Sequence, residues 1–267
     1  MKTHTMKSAG LLLTSLLTTS SLHAVSIAWT GGGADNAWTN GDNWGGTTPG
    51  STDTALFDTG AGGSSFNVDL GLTNFTPESF LHITGTGGLV DFDMTLSGVN
   101  ERKFTLNNGF LATGSVSMKL SNFTRLYPGT TNGATSFIWN SSGPLTTNEN
   151  DALGVLFNSN DSTFQIQQGL VKVNGQTMFG GRANTFIDIQ GGSLSSTNLF
   201  LNNGGNDDSG INMNGGNINE SGAMIWKSVS DINLSSGVFT VDGSLTFEDS
   251  VVKGNIINPG ELNFTSG

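Results

Sequence analysis

Residues 187–194 read IDIQGGSL, and the same grammar returns at 164–171 (FQIQQGLV), 211–218 (INMNGGNI) and 232–239 (INLSSGVF). Each stretch runs apolar, polar, apolar, two mostly turn-forming residues, glycine, any residue, apolar. Period-two alternation sends successive side chains to opposite faces of a strand, and a glycine-bearing break between two alternating runs is a tight corner. The unit therefore reads strand, corner, strand.

A looser copy follows at 251–256 (VVKGNI). The aligned glycines Gly169, Gly192, Gly216, Gly237 and Gly254 lie 23, 24, 21 and 17 positions apart. Six positions beyond them stand Gly175, Gly222, Gly243 and Gly260, with Asn198 in the remaining unit. Asparagine is the side-chain-bearing residue that most readily takes the left-handed conformation a tight corner needs, so Asn198 is expected to substitute for glycine there. A third strand closes each unit at Leu199–Leu201, Met224–Trp226, Leu245–Phe247 and Leu262–Phe264.

Three short strands per 20-odd residues, with glycine at the corners, match one coil of a solenoid. The expected fold is all-β, a right-handed parallel β-helix with a Trp-rich N-terminal cap. Alternate residues stack inward as columns of Leu, Ile, Val and Phe, and each coil buries its apolar face against its neighbours. Upstream, 104–111 (FTLNNGFL) matches the first half of the unit, with Gly114 one position early. Leu81-His82-Ile83, followed by Gly85 and Gly88, offers another copy. The stretch 123–161, with Pro128, Pro144 and the polar run 146–151, is expected to be a loop or irregular coil. A sandwich of antiparallel strands is the alternative architecture; the repeated glycine register favours the solenoid.

The N-terminus has the order of a secretory signal: Lys2 and Lys7, an uncharged stretch with Leu11 to Leu13 and Leu16-Leu17, then small residues at Ala24 and Ser26. The apolar stretch is too short for a good membrane span. The expected division is a signal peptide at 1–26, a cap and first coils at 27–80, and repeats at 81–267. Such a chain is exported, secreted or held at the cell surface, and has no intrinsic membrane span after cleavage. It contains no cysteine, so stability rests on packing and backbone hydrogen bonds.

The formal charge of -11 becomes -13 once Lys2 and Lys7 are removed. The remaining basic residues are scattered from Arg102 to Lys253, whereas a nucleic-acid partner needs clustered cations to replace phosphate counterions. Nucleic acid is therefore not an expected partner.

Residues 29–57 read WTGGGADNAWTNGDNWGGTTPGSTDTALF. Trp29, Gly31, Gly32, Trp38, Asn43, Trp44, Pro49, Asp53, Thr54, Ala55 and Phe57 give a segment that resembles the start of bacterial exported proteins carrying autotransporter-associated β-strand repeats. These proteins often also carry PEP-CTERM sorting signals. The resemblance covers the signal peptide, this segment and the general style of the repeats. It implies a β-helical passenger, with surface or matrix structural and adhesive roles.

The three tryptophans admit two readings. They cap the open first coil, which would otherwise expose its core and a bare strand edge, or they form a stacking platform for sugar rings, with Trp29, Trp38 and Trp44 as the carbohydrate contacts. The cap is the expected role. Trp139 and Trp226 read as core or lateral packing.

Catalytic chemistry finds little to use. After signal cleavage His82 is the remaining histidine, so neither a Ser-His-Asp triad nor a His-rich zinc site can be specified, and tetrahedral Cys motifs are absent. Asp91 and Asp93 share one side of a strand, and Asp207-Asp208 sit in a polar stretch. They are the candidate calcium ligands, although neither pair forms an EF-hand loop or the nonapeptide of calcium-binding β-rolls. No catalytic residue and no cofactor is expected. The leading expectation is a non-enzymatic structural or adhesive solenoid whose partners are extracellular polysaccharide or cell-surface components. The alternative is a polysaccharide-active enzyme or carbohydrate-binding module on the same fold, signalled by a groove combining Arg102, Lys103 or Arg182 with Asp91 and Asp93. An ice-binding solenoid would need a regular Thr ladder, and the threonines do not fall in register between units.

Overall fold

The structure, a computed structural model, describes residues 25–71, 74–94, 103–122, 125–128, 135–147, 153–156, 161–174, 176–180, 184–201, 209–227, 230–248, 256–257 and 261–264. Among the described residues, strand β1 (Ser26–Ala28) is followed by a single 3-10 turn (Gly41–Trp44), and all later elements are strands. The first coils are β2 (Thr54–Asp58), β3 (Phe66–Asp69) and β4 (Asn74–Phe75), then β5 (Phe80–Thr84), β6 (Leu89–Asp93) and β7 (Lys103–Leu106). Next come β8 (Phe110–Gly114), β9 (Ser117–Ser121) and β10 (Arg125–Pro128), then β11 (Ser136–Ser141), β12 (Leu145–Thr147) and β13 (Leu153–Leu156). They are followed by β14 (Thr163–Gln168), β15 (Leu170–Lys172) and β16 (Gln176–Gly180), then β17 (Phe186–Ile189), β18 (Ser193–Ser196) and β19 (Asn198–Leu201). Two long strands, β20 (Ser209–Glu220) and β22 (Ser230–Val241), alternate with β21 (Met224–Lys227) and β23 (Leu245–Glu248), ahead of β24 (Ile256–Ile257) and β25 (Glu261–Phe264).

Among the described residues all strand pairs are parallel, and each strand lies beside its counterpart one coil on. β2, β5, β8, β11, β14 and β17 form a first face, and β3, β6, β9, β12, β15 and β18 a second. β20 and β22 run around the corner between these faces and join them into one 17-stranded sheet. The third face is a separate eight-stranded sheet running from β4 to β23. The protein is a three-sided parallel β-solenoid.

Alternation explains the interior. On the first face the inward column runs Ala55, Leu81, Phe110, Phe137, Phe164, Ile187 and Ile211, each in register with the next and each almost wholly buried. Beside it run Phe57, Ile83, Ala112, Trp139, Ile166, Ile189, Met213 and Leu234. Trp139, fully buried, stands next to Ala112, so a large ring fills space that a small residue leaves open. Each such aromatic or aliphatic side chain contributes about 1.5–3 kcal/mol through burial.

The repeat from Phe164 through Ile232 holds its register: Phe164 pairs with Ile187, Ile187 with Ile211, and Ile211 with Ile232. Leu81-His82-Ile83 is also a first-face strand, as expected. The corner residues divide into two kinds. Gly169, Gly216 and Gly237 have left-handed φ values of 71°, 69° and 103°. Gly192, Gly222 and Gly243 are not among the left-handed residues; a Cβ on any of them would press into a neighbouring coil, as on Gly222 against Thr197 O. Asn198 is not left-handed either. It pairs with Gln176, and its Oδ1 accepts a hydrogen bond from Ala223 N at 2.8 Å, so it works as a side-chain bridge between coils. Gly175, Gly254 and Gly260 lie outside the described residues.

Three assignments change. Phe104–Leu106 pairs with Phe75 and with Leu126, which places it on the third face; the true counterpart of the repeat is Phe110 on the first. At the far end, Ile232 pairs with Ile256, and Phe239 with Leu262, so Ile256 is the counterpart of Ile232 and Glu261–Phe264 belongs to the second face, while Val251 lies outside the described residues. Both slips have one cause: strand-corner-strand looks alike at each corner of a three-sided coil, so composition leaves the phase open. Thirdly, the described parts of 123–161 carry β10 to β13, each paired on both sides, where a loop or irregular coil was expected. Pro144 is tolerated because it precedes β12 and its carbonyl accepts from Met118 N at 2.9 Å.

The expected signal peptide lies outside the described residues except for Val25 and Ser26. Ser26 begins β1, which pairs with β2 through Ser26 to Thr54.

Candidate functional site

The N-terminal segment closes the first coil from above. Trp29 N donates to Leu56 O at 2.9 Å or less, specifically 2.8 Å, and Trp38 N donates to Asp69 O at 2.9 Å, so the segment extends the first and second faces in turn. Asn43 holds its two arms together. Its Nδ2 donates to Asp35 O and Ala37 O at 2.9 and 3.0 Å, while its Oδ1 accepts from Gly33 N at 2.8 Å.

Trp29, Trp38 and Trp44 are 4, 6 and 3 % exposed. Their rings pack on Phe57 with centroids 5.6, 5.8 and 5.4 Å away, and Trp38 meets Phe75 at 5.0 Å. Trp44 Nε1 donates to Trp38 O at 2.7 Å, which satisfies the indole inside the cluster. A stacking platform must offer an open ring face; these three spend theirs on the core, so the alternative of a three-tryptophan sugar platform gives way to the cap. Trp139 is core, and the side chain of Trp226 lies outside the described residues.

A cleft of about 330 Å³ opens beside the cap, lined by Trp38, Thr39, Thr48, Pro49, Phe75, Thr76, Pro77 and Glu78. Trp38 and Phe75 are themselves buried, and the lining includes Thr39, Thr48, Thr76 and Glu78 as its polar side chains.

The second lateral face carries a continuous outward column. Asn67, Asp91, Lys119, Thr146, Lys172, Ser195, Asn219 and Thr240 follow one another in register, one per coil. All are polar and at least partly exposed. Parallel register spaces such side chains by about 4.8 Å. Within this column Lys119 Nζ lies 3.5 Å from Asp91 Oδ2, and Ser121 Oγ donates to Asp91 Oδ1 at 2.7 Å. Asn122 Nδ2 donates to Asp93 Oδ1 at 2.6 Å from a left-handed backbone.

Asp91 and Asp93 thus share a face, as alternation requires, and Lys119, Ser121 and Asn122 are among their partners. Asp207 and Asp208 lie outside the described residues. Among the described residues no three His, Cys, Asp or Glu converge as a metal site. Lys103 sits on the third face, 5.9 Å from the Tyr127 ring centroid, away from the face that carries Asp91 and Asp93. Arg102 and Arg182 lie outside the described residues.

His82 points outward on the first face. Its Nε2 lies 3.3 Å from Thr113 Oγ1, which in turn donates to Thr84 Oγ1 at 2.9 Å. Burial holds its pKa below the ordinary value, against an upward pull from the Asp58 carboxylate.

Glu220 was not singled out from the sequence. It lies at the end of β20, two residues after inward Ile218, and is itself fully buried. Period two along that strand is the signal that could have found it. Among the described residues no helix is long and apolar enough to cross a membrane. Comparison with protein-family models, with curated proteins and with solved structures returns no match.

Proposed function

We propose that this chain is a non-enzymatic, exported surface or extracellular-matrix protein, a structural or adhesive solenoid of the autotransporter-associated repeat type. The observation that carries the reading is the polar column from Asn67 to Thr240, one side chain per coil on a rigid parallel scaffold. Regularly spaced amides, hydroxyls and charges make individually weak hydrogen bonds to a long polar polymer. Held on one stiff face they act together, because each contact raises the effective concentration for the next. Extracellular polysaccharide or a cell-surface component is the partner that this chemistry suits.

The cleft beside Trp38 favours a second reading, a carbohydrate-binding module or polysaccharide-active enzyme. Its size and its threonine and glutamate side chains suit the hydroxyls of a single sugar ring.

A glycan array with the full chain, paired with reducing-sugar and unsaturated-uronate assays with and without calcium, separates the readings. Polymer binding without turnover, weakened stepwise by Asn67→Ala, Thr146→Ala and Asn219→Ala, is the expected result. Binding to short oligosaccharides that is lost in Thr76→Ala but untouched by the column variants moves the site to the cleft. Turnover of any polymer overturns the non-enzymatic reading.

A further inference from the structure

Among the described residues, Glu220 is the acidic or basic residue that the fold turns into its core. Alternation in β20 places it inward, in register between Ser196 of β18 and Val241 of β22. Its side chain is 0 % exposed. Ser196 Oγ donates to Oε2 at 2.6 Å, whereas Oε1 is buried with no hydrogen-bond partner. The backbone around it is closed, with Asp242 N donating to Glu220 O at 2.7 Å and Ser221 N to Ser196 O at 3.2 Å.

A carboxylate with one satisfied oxygen is expensive inside an apolar column, because burial strips the charged form of its solvation. The neutral acid is tolerated there. The buried side chains described on the neighbouring strands are Leu194 and Ser196 on β18, Phe239 and Val241 on β22, Leu199 on β19 and Met224 on β21, none of them titratable. Asp242, next to Val241 one coil on, is exposed at the corner. No described cation is placed to hold the ionised form.

We infer that Glu220 is a pH-sensitive latch in the interior of the solenoid, holding its proton to higher pH when the coils of β18, β20 and β22 are closed than when they open. The geometry does not depend on the adhesive reading of the lateral face. Burial raises the Glu220 pKa from 4.5 to about 7, with the Ser196 hydrogen bond opposing it. Since the closed form keeps its proton to higher pH than the open form, closure is strongest below the open-state pKa. It weakens as pH rises towards the closed-state value and levels off beyond it.

The test is amide hydrogen exchange of the full chain, corrected for the intrinsic pH dependence of exchange, together with carboxyl-carbon NMR of Glu220. In the wild type the opening constant of β20 and β22 should rise about tenfold per pH unit between about pH 5 and 7, then flatten, and the Glu220 carboxyl should titrate near neutrality. Glu220→Gln should remove that slope, with β5 and β8 unaffected. Ser196→Ala, which deletes the bond favouring the ionised form, should carry the wild-type slope to higher pH. A Glu220 carboxyl titrating in the ordinary range overturns the proposal, as does the same slope in wild type and Glu220→Gln. The wild-type NMR titration decides the matter even if a variant fails to fold.

Discussion

Phe110 and Phe137 stack nearly face to face across adjacent coils, with ring centroids 4.2 Å apart and planes 5° from parallel. Isolated aromatic pairs prefer offset or edge-to-face contacts. Here the parallel register of β8 and β11 sets equivalent side chains at one inter-strand spacing, and Phe164 continues the pile at 4.5 Å. The backbone ladder thus chooses the ring geometry.

Phe137, fully buried between two rings, should be the most costly member of this pile to remove. Phe137→Ala is expected to lose about 3–5 kcal/mol, and Phe137→Leu, closer in volume, under about 1.5 kcal/mol. Urea denaturation followed by circular dichroism measures both. Equal, small losses would mean that the stack contributes no more than any apolar filler.

Trp44 supports the cap both by packing and by its Nε1 donation to Trp38 O. Trp44→Phe keeps much of the apolar contact but leaves that buried carbonyl without its donor, at a cost of about 1–3 kcal/mol. Because coils contact mainly their neighbours, Trp44→Ala should deprotect β2 and β3 in hydrogen exchange well before β17 or β18. Uniform loss along the chain would contradict a local cap.

Gly114 turns the first-face corner at φ 85°, and a Cβ there would collide with Gly85 O in the preceding coil. Gly45, at φ 73°, has no atom within 4 Å of such a Cβ. Gly45→Ala should cost about 1 kcal/mol from backbone conformation alone, and Gly114→Ala distinctly more, because two coils must move apart. Thermal melts of the two variants compare the effects directly.

His82 is held below its ordinary pKa of 6.5, first by burial and in the opposite sense by Asp58. The unfolded chain therefore takes up its proton at higher pH than the folded one, and the His82 contribution to stability is present above about pH 6.5 and falls as pH drops towards the folded value. The imidazole should titrate below 6.5 by NMR. His82→Gln should abolish its share of the acid-side loss, while Asp58→Asn should depress the His82 pKa further.

Much of this architecture is legible in the sequence. The segments led by Phe164, Ile187, Ile211 and Ile232 announce inward and outward positions by alternation alone, and they pair in that register. The tryptophan segment announced a cap. The upstream coils were harder to read because equivalent positions such as Phe110, Phe137 and Phe164 recur at 27 residues, longer than the downstream spacing. Asp91 and Asp93 were correctly placed on one side of a strand, but Lys119, 28 positions later, enters their surroundings solely through the pairing of β6 with β9.

Local periodicity settles whether a side chain points in or out, since that depends on nothing beyond the strand it belongs to. It assigned the fold class, the repeat and the polar exterior. Which coil lies against which, and therefore who meets whom, is a matter of long-range register. Strand-corner-strand looks the same on all three faces, so composition alone could not order them. The burial of the three tryptophans, the Lys119–Asp91 pair and the enclosure of Glu220 beside Ser196 exist because backbone hydrogen bonding stacks residues 20 to 30 positions apart at one fixed spacing.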